Sequence, residues 1–395
     1  MKNINYFLLV ISILFFFSCE NKNQTEQPKF DMKKQFLFVG TYTKKEGHVD
    51  GKGKGIYFLE FNPNELSIER DTLYNRNAFH SVNPSFLAVT PDKKTLLAVN
   101  ELNPNDGDSG TISAYAIDSI THELFYINNQ KTGAFAPCHV SIDATGQFAF
   151  VANYVGGVLK VFPIYKSGAL GEASQTIKLE GSSTNKDRQE ASHPHSVNIS
   201  PNNRFAYVPD LGTDKVMIYQ LDLENGKMLP AEQPFIKVQN GAGPRHFSFH
   251  PNGKNAYVVN ELDATVNVFN YINSTGQITE IQSITTLPDD YKDFNGCADI
   301  HVHPSGKFLY ASNRGHNSIV IYKIDDSGKL TLVGHESTKG KFPRNFILDS
   351  SGHFLMVANQ NTNGVFLFKI NQETGELEVV DKTKVPTPVC LKFWK

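Results

Sequence analysis

An arginine opens one apolar run and a glutamate closes the next in GAGPRHFSFHPNGKNAYVVNE, Gly241 to Glu261. The HPNGK turn between them folds the two alternating runs into a hairpin. Antiparallel pairing returns Glu261 to the end where Arg245 begins. A carboxylate there can act as a general base, and a guanidinium can hold an oxyanion or a substrate anion. His195, in PHSVNISPNNRFAYVPD, adds a second candidate base, and Arg314, closing CADIHVHPSGKFLYASNR, a second guanidinium. His193, in the same HPH triplet, leaves the choice of histidine open.

The elements that must position these residues form a repeat. The hairpin recurs as NPSFLAVTPDKKTLLAVNE from Asn83, APCHVSIDATGQFAFVANY from Ala136 and FPRNFILDSSGHFLMVANQ from Phe342, and ends truncated as TPVCLKFWK. Taking Pro84, Pro137, Pro194, Pro244, Ala298, Pro343 and Pro388 as anchors gives a period of roughly 50 residues. A third alternating run, such as TVNVFNYI or SIVIYKID, follows each complete hairpin, and a weaker fourth follows that. Four strands per unit predict an all-β, seven-bladed β-propeller. The last unit has one strand, and QFLFVGTYT, GIYFLEFN and LSIERDTLY near the N-terminus supply its other three. Both termini therefore close the seventh blade, which removes free sheet edges and argues against an open solenoid.

In such a blade the start of the first strand and the end of the second lie at one mouth of the central channel. The residues after the anchors are Ser85, Cys138, His195, Arg245, Asp299, Arg344 and Val389. Those closing the second strands are Glu101, Tyr154, Asp210, Glu261, Arg314, Gln360 and Thr41. Strand capping accounts for Ser85, Thr41 and Gln360, whereas charges gathered beside a narrow channel are costly unless paired or used. Catalytic candidates are His195, Glu261 and Arg245. Binding candidates are Arg314, Arg344, Asp299, Glu101, Tyr154 and Asp210. The long segments 44–54, 102–109, 181–192 and 288–296 fall at this mouth, as a lid or as surface decoration. The short turns at the other mouth read as structural.

The N-terminus is different material. Lys2 precedes an almost wholly apolar run over 6–17, which suits a signal peptide and is too short to span a bilayer. FFFSCEN resembles a bacterial lipobox with Phe16 at the usual aliphatic position, so Cys19 is the expected lipidation site, with ordinary secretion as the alternative. The expected organisation is a signal segment over 1–19, a polar tether over 20–34 and the propeller over 35–395. The protein is then exported and lipid-anchored, facing the periplasm or the cell surface, and cytoplasmic if this reading fails. Cys138, Cys297 and Cys390 lie in or beside apolar strands and read as buried thiols. No cysteine pair has metal-ligand spacing, and no metal or other cofactor is expected. A net charge of −2 and no basic stripe argue against a nucleic-acid partner.

The GPRH…NE hairpin, PHSVNISPNNRFAYVPDLGTDKVMIY and ADIHVHPSGKFLYASNRGHNSIVIY resemble the seven-bladed propeller lactonases over 36–394. That family includes 6-phosphogluconolactonases of the propeller type, with fungal carboxy-muconate lactonizing enzymes as relatives. The resemblance implies a carboxylic ester hydrolase acting on a small sugar lactone, with site residues falling on His195, Arg245, Glu261 and Arg314. There is no G-x-S-x-G elbow, so attack by an activated water is expected rather than an acyl-enzyme. Phosphogluconolactone is a cytosolic intermediate, so an exported protein points to a different lactone. A non-catalytic ligand-binding or scaffold lipoprotein and a lactone-forming enzyme are the alternatives.

Overall fold

The computed structural model describes residues 32–47, 49–70, 78–107 and 109–394. The expected signal segment, Cys19 and most of the tether lie outside the described residues. Seven antiparallel sheets of four successive strands follow one another around a ring, the seventh with the short strand Phe79–His80 added beside Gly55–Asn62. Blades one to six span 84–131, 135–178, 198–237, 244–285, 296–337 and 343–384. Blade seven joins Pro388–Phe393 to Gln35–Thr41, Gly55–Asn62 and Ser67–Arg70. The seam is in register, with Val39 opposite Leu391, and the Trp394 amide donates to Phe36 O at 2.8 Å. Trp394 is 1 % exposed and its indole donates to Lys93 O, so the C-terminus locks against blade one.

The alternation read from the sequence decides the packing. Apolar residues of each sheet interdigitate with those of the next, so the core is a set of inter-blade layers rather than a single centre. One such layer joins Tyr257, Val259 and Val268 of blade four to Ile300, Leu309 and Tyr322 of blade five. At the mouth with short turns, tyrosine hydroxyls tie blade to blade: Tyr257 donates to Gly328 O and Tyr310 to Gly375 O, both at 2.9 Å. The turn histidines His250 and His303 bond Gly306 O and Gly352 O in the same way. Cys138, Cys297 and Cys390 are buried free thiols. Among the described residues, the only helical pieces are two short 3-10 turns.

Every inner strand carries an extra residue just after its start. Pro84, Pro137, Pro244 and Pro343 pair with Asn100, Asn153, Asn260 and Asn359, and the register then shifts by one. Such a bulge re-aims one side chain, and in these four strands it falls on Ser85, Cys138, Arg245 and Arg344. In blade five the residue opposite Asn313 is Cys297, so Ala298 occupies the bulge and Asp299 lies one step deeper. In blade three Pro194 bridges Asp210, which therefore holds the asparagine position, one residue short of Glu261's counterpart, Leu211. A one-residue offset turns a side chain to the other face of a strand. It accounts for the two corrections below.

Candidate active site

The bulged residues and those following the second strands meet at the mouth carrying the long loops. They surround a cavity of about 430 Å³ whose wall includes Glu101, Cys138, Tyr154, His195, Glu261, Arg314 and Arg344. A surface groove of about 730 Å³ between outer strands of blades five and six is larger, but it contains none of these groups.

Glu261 is the hub. Its Oε2 accepts from Arg245 Nε and Arg314 Nη2, each at 2.9 Å, and its Oε1 from Arg188 Nη2 at 2.7 Å. Burial alone would push this carboxyl up. Arg314, Arg245 and Arg188 outweigh it and hold Glu261 well below the usual carboxylate range. Arg245 does not form the cavity wall. It is 2 % exposed, stands behind Glu261, and donates from Nη1 to Ala298 O at 2.5 Å. Arg314 is fastened by Gly296 O and Cys297 O, both at 3.0 Å, and lies 5.3 Å from the centre of the Phe342 ring. Arg344 lies 5.4 Å from the centre of the Tyr42 ring and makes no ion pair among the described residues.

His195 is 5 % exposed and reaches the cavity. Burial, and then Arg245 and His246, depress its pKa well below the ordinary histidine value, so it is neutral at neutral pH. Its Nδ1 lies 3.8 Å from Cys138 Sγ, whose better acceptor is His195 O at 3.3 Å. Burial pushes the Cys138 thiol up, so it stays protonated. With the thiol hydrogen on that carbonyl, Nδ1 can carry the imidazole proton and Nε2 keeps a lone pair. His193 is occupied elsewhere: its nitrogens bond Tyr154 O and Glu190 Oε1, both at 2.9 Å, and its ring stacks on Tyr154. The structure thus separates the two histidines that the sequence left open.

Asp210 and Asp299, expected at this mouth, are not in the cavity. Asp210 accepts from Ser192 Oγ and His193 N, both at 2.7 Å, and caps its own blade. Asp299 sits one layer down the channel, facing a separate cavity of about 450 Å³ toward the other mouth. There it accepts from His246 Nδ1 at 2.8 Å and Asn345 Nδ2 at 2.5 Å. Both are displaced by the register described above: the anchor in unit five is Cys297, not Ala298, and the second strand of unit three reaches its mouth at Leu211. In blade seven Tyr42, not Thr41, follows the strand in the same way, because Thr41 pairs with Pro388.

Loop contributors were missed. Arg188 comes from the 181–192 loop, Phe294, 68 % exposed, from the 288–296 loop, and Asn103 from the 102–109 loop. None has a position in the repeat. The available signal was a basic, an aromatic and an amide residue inside insertions assigned to this mouth. Among the described residues no cluster of histidine, cysteine and carboxylate side chains is arranged to hold a metal ion.

The sequence profile described as "Lactonase, 7-bladed beta-propeller" matches residues 36–393. A 6-phosphogluconolactonase of Bacillus subtilis is 36% identical over 367 residues, covering 92% of this chain and 99% of the relative. A crystal structure from Bacteroides fragilis, provisionally assigned as a 6-phosphogluconolactonase, superposes with a TM-score of 0.83 at 36% identity, covering 93% of this chain and 99% of that one. A periplasmic gluconolactonase of Pseudomonas aeruginosa superposes equally well, with a TM-score of 0.83 at 31% identity over 91% of this chain and 99% of its own. A profile match over nearly all of the propeller, with a relative at this identity and coverage, places this chain in the seven-bladed β-propeller lactonase family of carboxylic ester hydrolases.

Proposed function

We propose that this protein hydrolyses a sugar lactone bearing an anionic group, of the 6-phosphogluconolactone type. The observation that carries the reading is charge: Arg188, Arg314 and Arg344 line a cavity whose wall carries the carboxylates Glu101 and Glu261, and Arg245 stands behind Glu261. A surplus of guanidinium in a half-enclosed site favours an anionic ligand.

In the proposed reaction His195 Nε2 takes a proton from water as the water oxygen bonds the lactone carbonyl carbon. Arg314 and Arg344 face the carbonyl oxygen and stabilise the negative charge it acquires. Collapse of the tetrahedral intermediate breaks the bond to the ring oxygen, which recovers the proton from His195. The net change is addition of one water. Burial and Arg245 lower the basicity of His195 as well, but both oxygens of Glu261 are engaged by three guanidinium groups, so its role is to hold the arginines. Turnover of gluconolactone, with and without the 6-phosphate, by protein lacking residues 1–30 tests this. Both should be hydrolysed, the phosphorylated one more efficiently. No turnover of either leaves the non-catalytic binding reading.

A neutral gluconolactone is the second reading. It is favoured by the periplasmic gluconolactonase relative and by the lipobox-like N-terminus. In either case we propose that Cys19 carries the lipid anchor of an exported protein. Cys19→Ser should release the protein from membranes, and absence of labelled fatty acid in the wild-type chain would refute the anchor.

A further inference from the structure

Of the three arginines on Glu261, two are immobilised by main-chain carbonyls. Arg245 and Arg314 are 2 % and 6 % exposed, and they hold Ala298 O, Gly296 O and Cys297 O. Arg188 differs. It comes from a loop, its side chain is 40% exposed, and its bonds go to Glu261 Oε1 at 2.7 Å and Tyr154 Oη at 3.2 Å. Both partners are side chains.

The root of this loop is fixed. Asp214 accepts from Ser183 Oγ at 2.5 Å and Gln189 Nε2 at 2.7 Å, on either side of Arg188. The same carboxylate accepts from Gly241 N at 2.7 Å and Gly243 N at 2.8 Å, in the turn that launches Arg245. Within the loop the Gln189 amide donates to Asn185 O at 2.7 Å. The backbone is therefore pinned, and motion is left to the Arg188 side chain. Its departure would leave Glu261 still compensated by Arg245 and Arg314.

We propose that Arg188 is a specificity residue that leaves Glu261 to bind a phosphate carried by the lactone at the end remote from its reacting carbonyl. With the carbonyl set between His195 and Arg314, Arg188 is the one of the three arginines on Glu261 that stands partly in water, and the substituent is assigned to it. An anion held there keeps part of its hydration, which lowers the cost of binding it. A planar fork suits a phosphate's paired oxygens.

This rests on the reading that the cavity takes a sugar lactone, so the test is made on binding rather than turnover. Calorimetry compares 6-phosphogluconate with gluconate on wild type, Arg188→Gln and Arg188→Lys. Wild type should prefer the phosphorylated acid. Arg188→Gln should lose about tenfold or more of that preference, and Arg188→Lys should keep only part of it. An undiminished preference in Arg188→Gln overturns the proposal. If Arg188→Gln does not fold, Arg188→Lys decides, and full preference there overturns it. A protein that shows the preference but hydrolyses no lactone would fail the catalytic reading and leave the role of Arg188 standing.

Discussion

Three guanidinium groups sharing the two oxygens of Glu261 separate what two substitutions should do. Glu261→Gln removes the only carboxylate bonded to Arg245 among the described residues, a cation 2 % exposed. Stranding a buried charge costs about 3–5 kcal/mol, so a marked fall in melting temperature is expected. His195→Asn leaves that network intact and removes the proposed base. It should keep the melting temperature near wild type while lowering kcat roughly 10²–10⁴-fold. Measuring both quantities on the same preparations settles the assignment. A well-folded Glu261→Gln protein that loses more activity per molecule than His195→Asn would transfer the role of base to Glu261.

The bulge at the start of each inner strand aims the site, and in blade four it depends on Gly243. That residue has φ +66°, and a Cβ there would lie 2.6 Å from Leu262 Cγ. Its amide is one of the four donors on Asp214, so the turn, the 181–192 loop and Arg245 share one support. Gly243→Ala should cost about 1–3 kcal/mol through backbone strain and contact. It should also lower kcat/KM in the protein that remains folded, because Arg245 follows two residues later. Wild-type stability and activity in Gly243→Ala would show that the turn has slack.

Closure and burial govern the whole ring. Deleting 388–395 removes the inner strand of blade seven and exposes Gln35–Thr41 as a free edge. The truncated protein should melt far lower or aggregate; unchanged melting would contradict a load carried by the seam. Acid should also destabilise the ring. Burial, and then Arg245, press His246 down to about 4 from 6.5, and burial holds His139 and His195 well below 6.5. The unfolded chain takes up these protons as pH drops through 6.5, while the folded chain refuses them, so stability falls from there toward pH 4. For His246 alone the gap amounts to on the order of 3 kcal/mol. Glu261 and Asp299, held well below their ordinary values, push the same way, their contribution being lost as pH falls through their folded pKa values. A melting temperature that stays flat from pH 7 to pH 4 would refute this account.

Strand alternation, the Asn- and Gly-rich turns and the roughly 50-residue period were enough to give blade number, four-strand sheets and closure by both termini. They also brought Arg245 to Glu261, because a hairpin with a tight turn leaves its ends no other place to go. Periodicity could not say which residue of each inner strand is the extra one. Proline marks that point in most units, but Cys297 takes its place in blade five, and Asp299 was set one step too high. Counting sixteen residues from Pro84, Pro137, Pro244 and Pro343 reaches Asn100, Asn153, Asn260 and Asn359, and from Pro194 it reaches Asp210, which marks Asp210 as a strand cap. Arg188 lay beyond any such count. A loop residue reaches its partner through the path of the folded backbone, and here that path is set by Asp214, a contact between segments about thirty residues apart that only the tertiary structure decides.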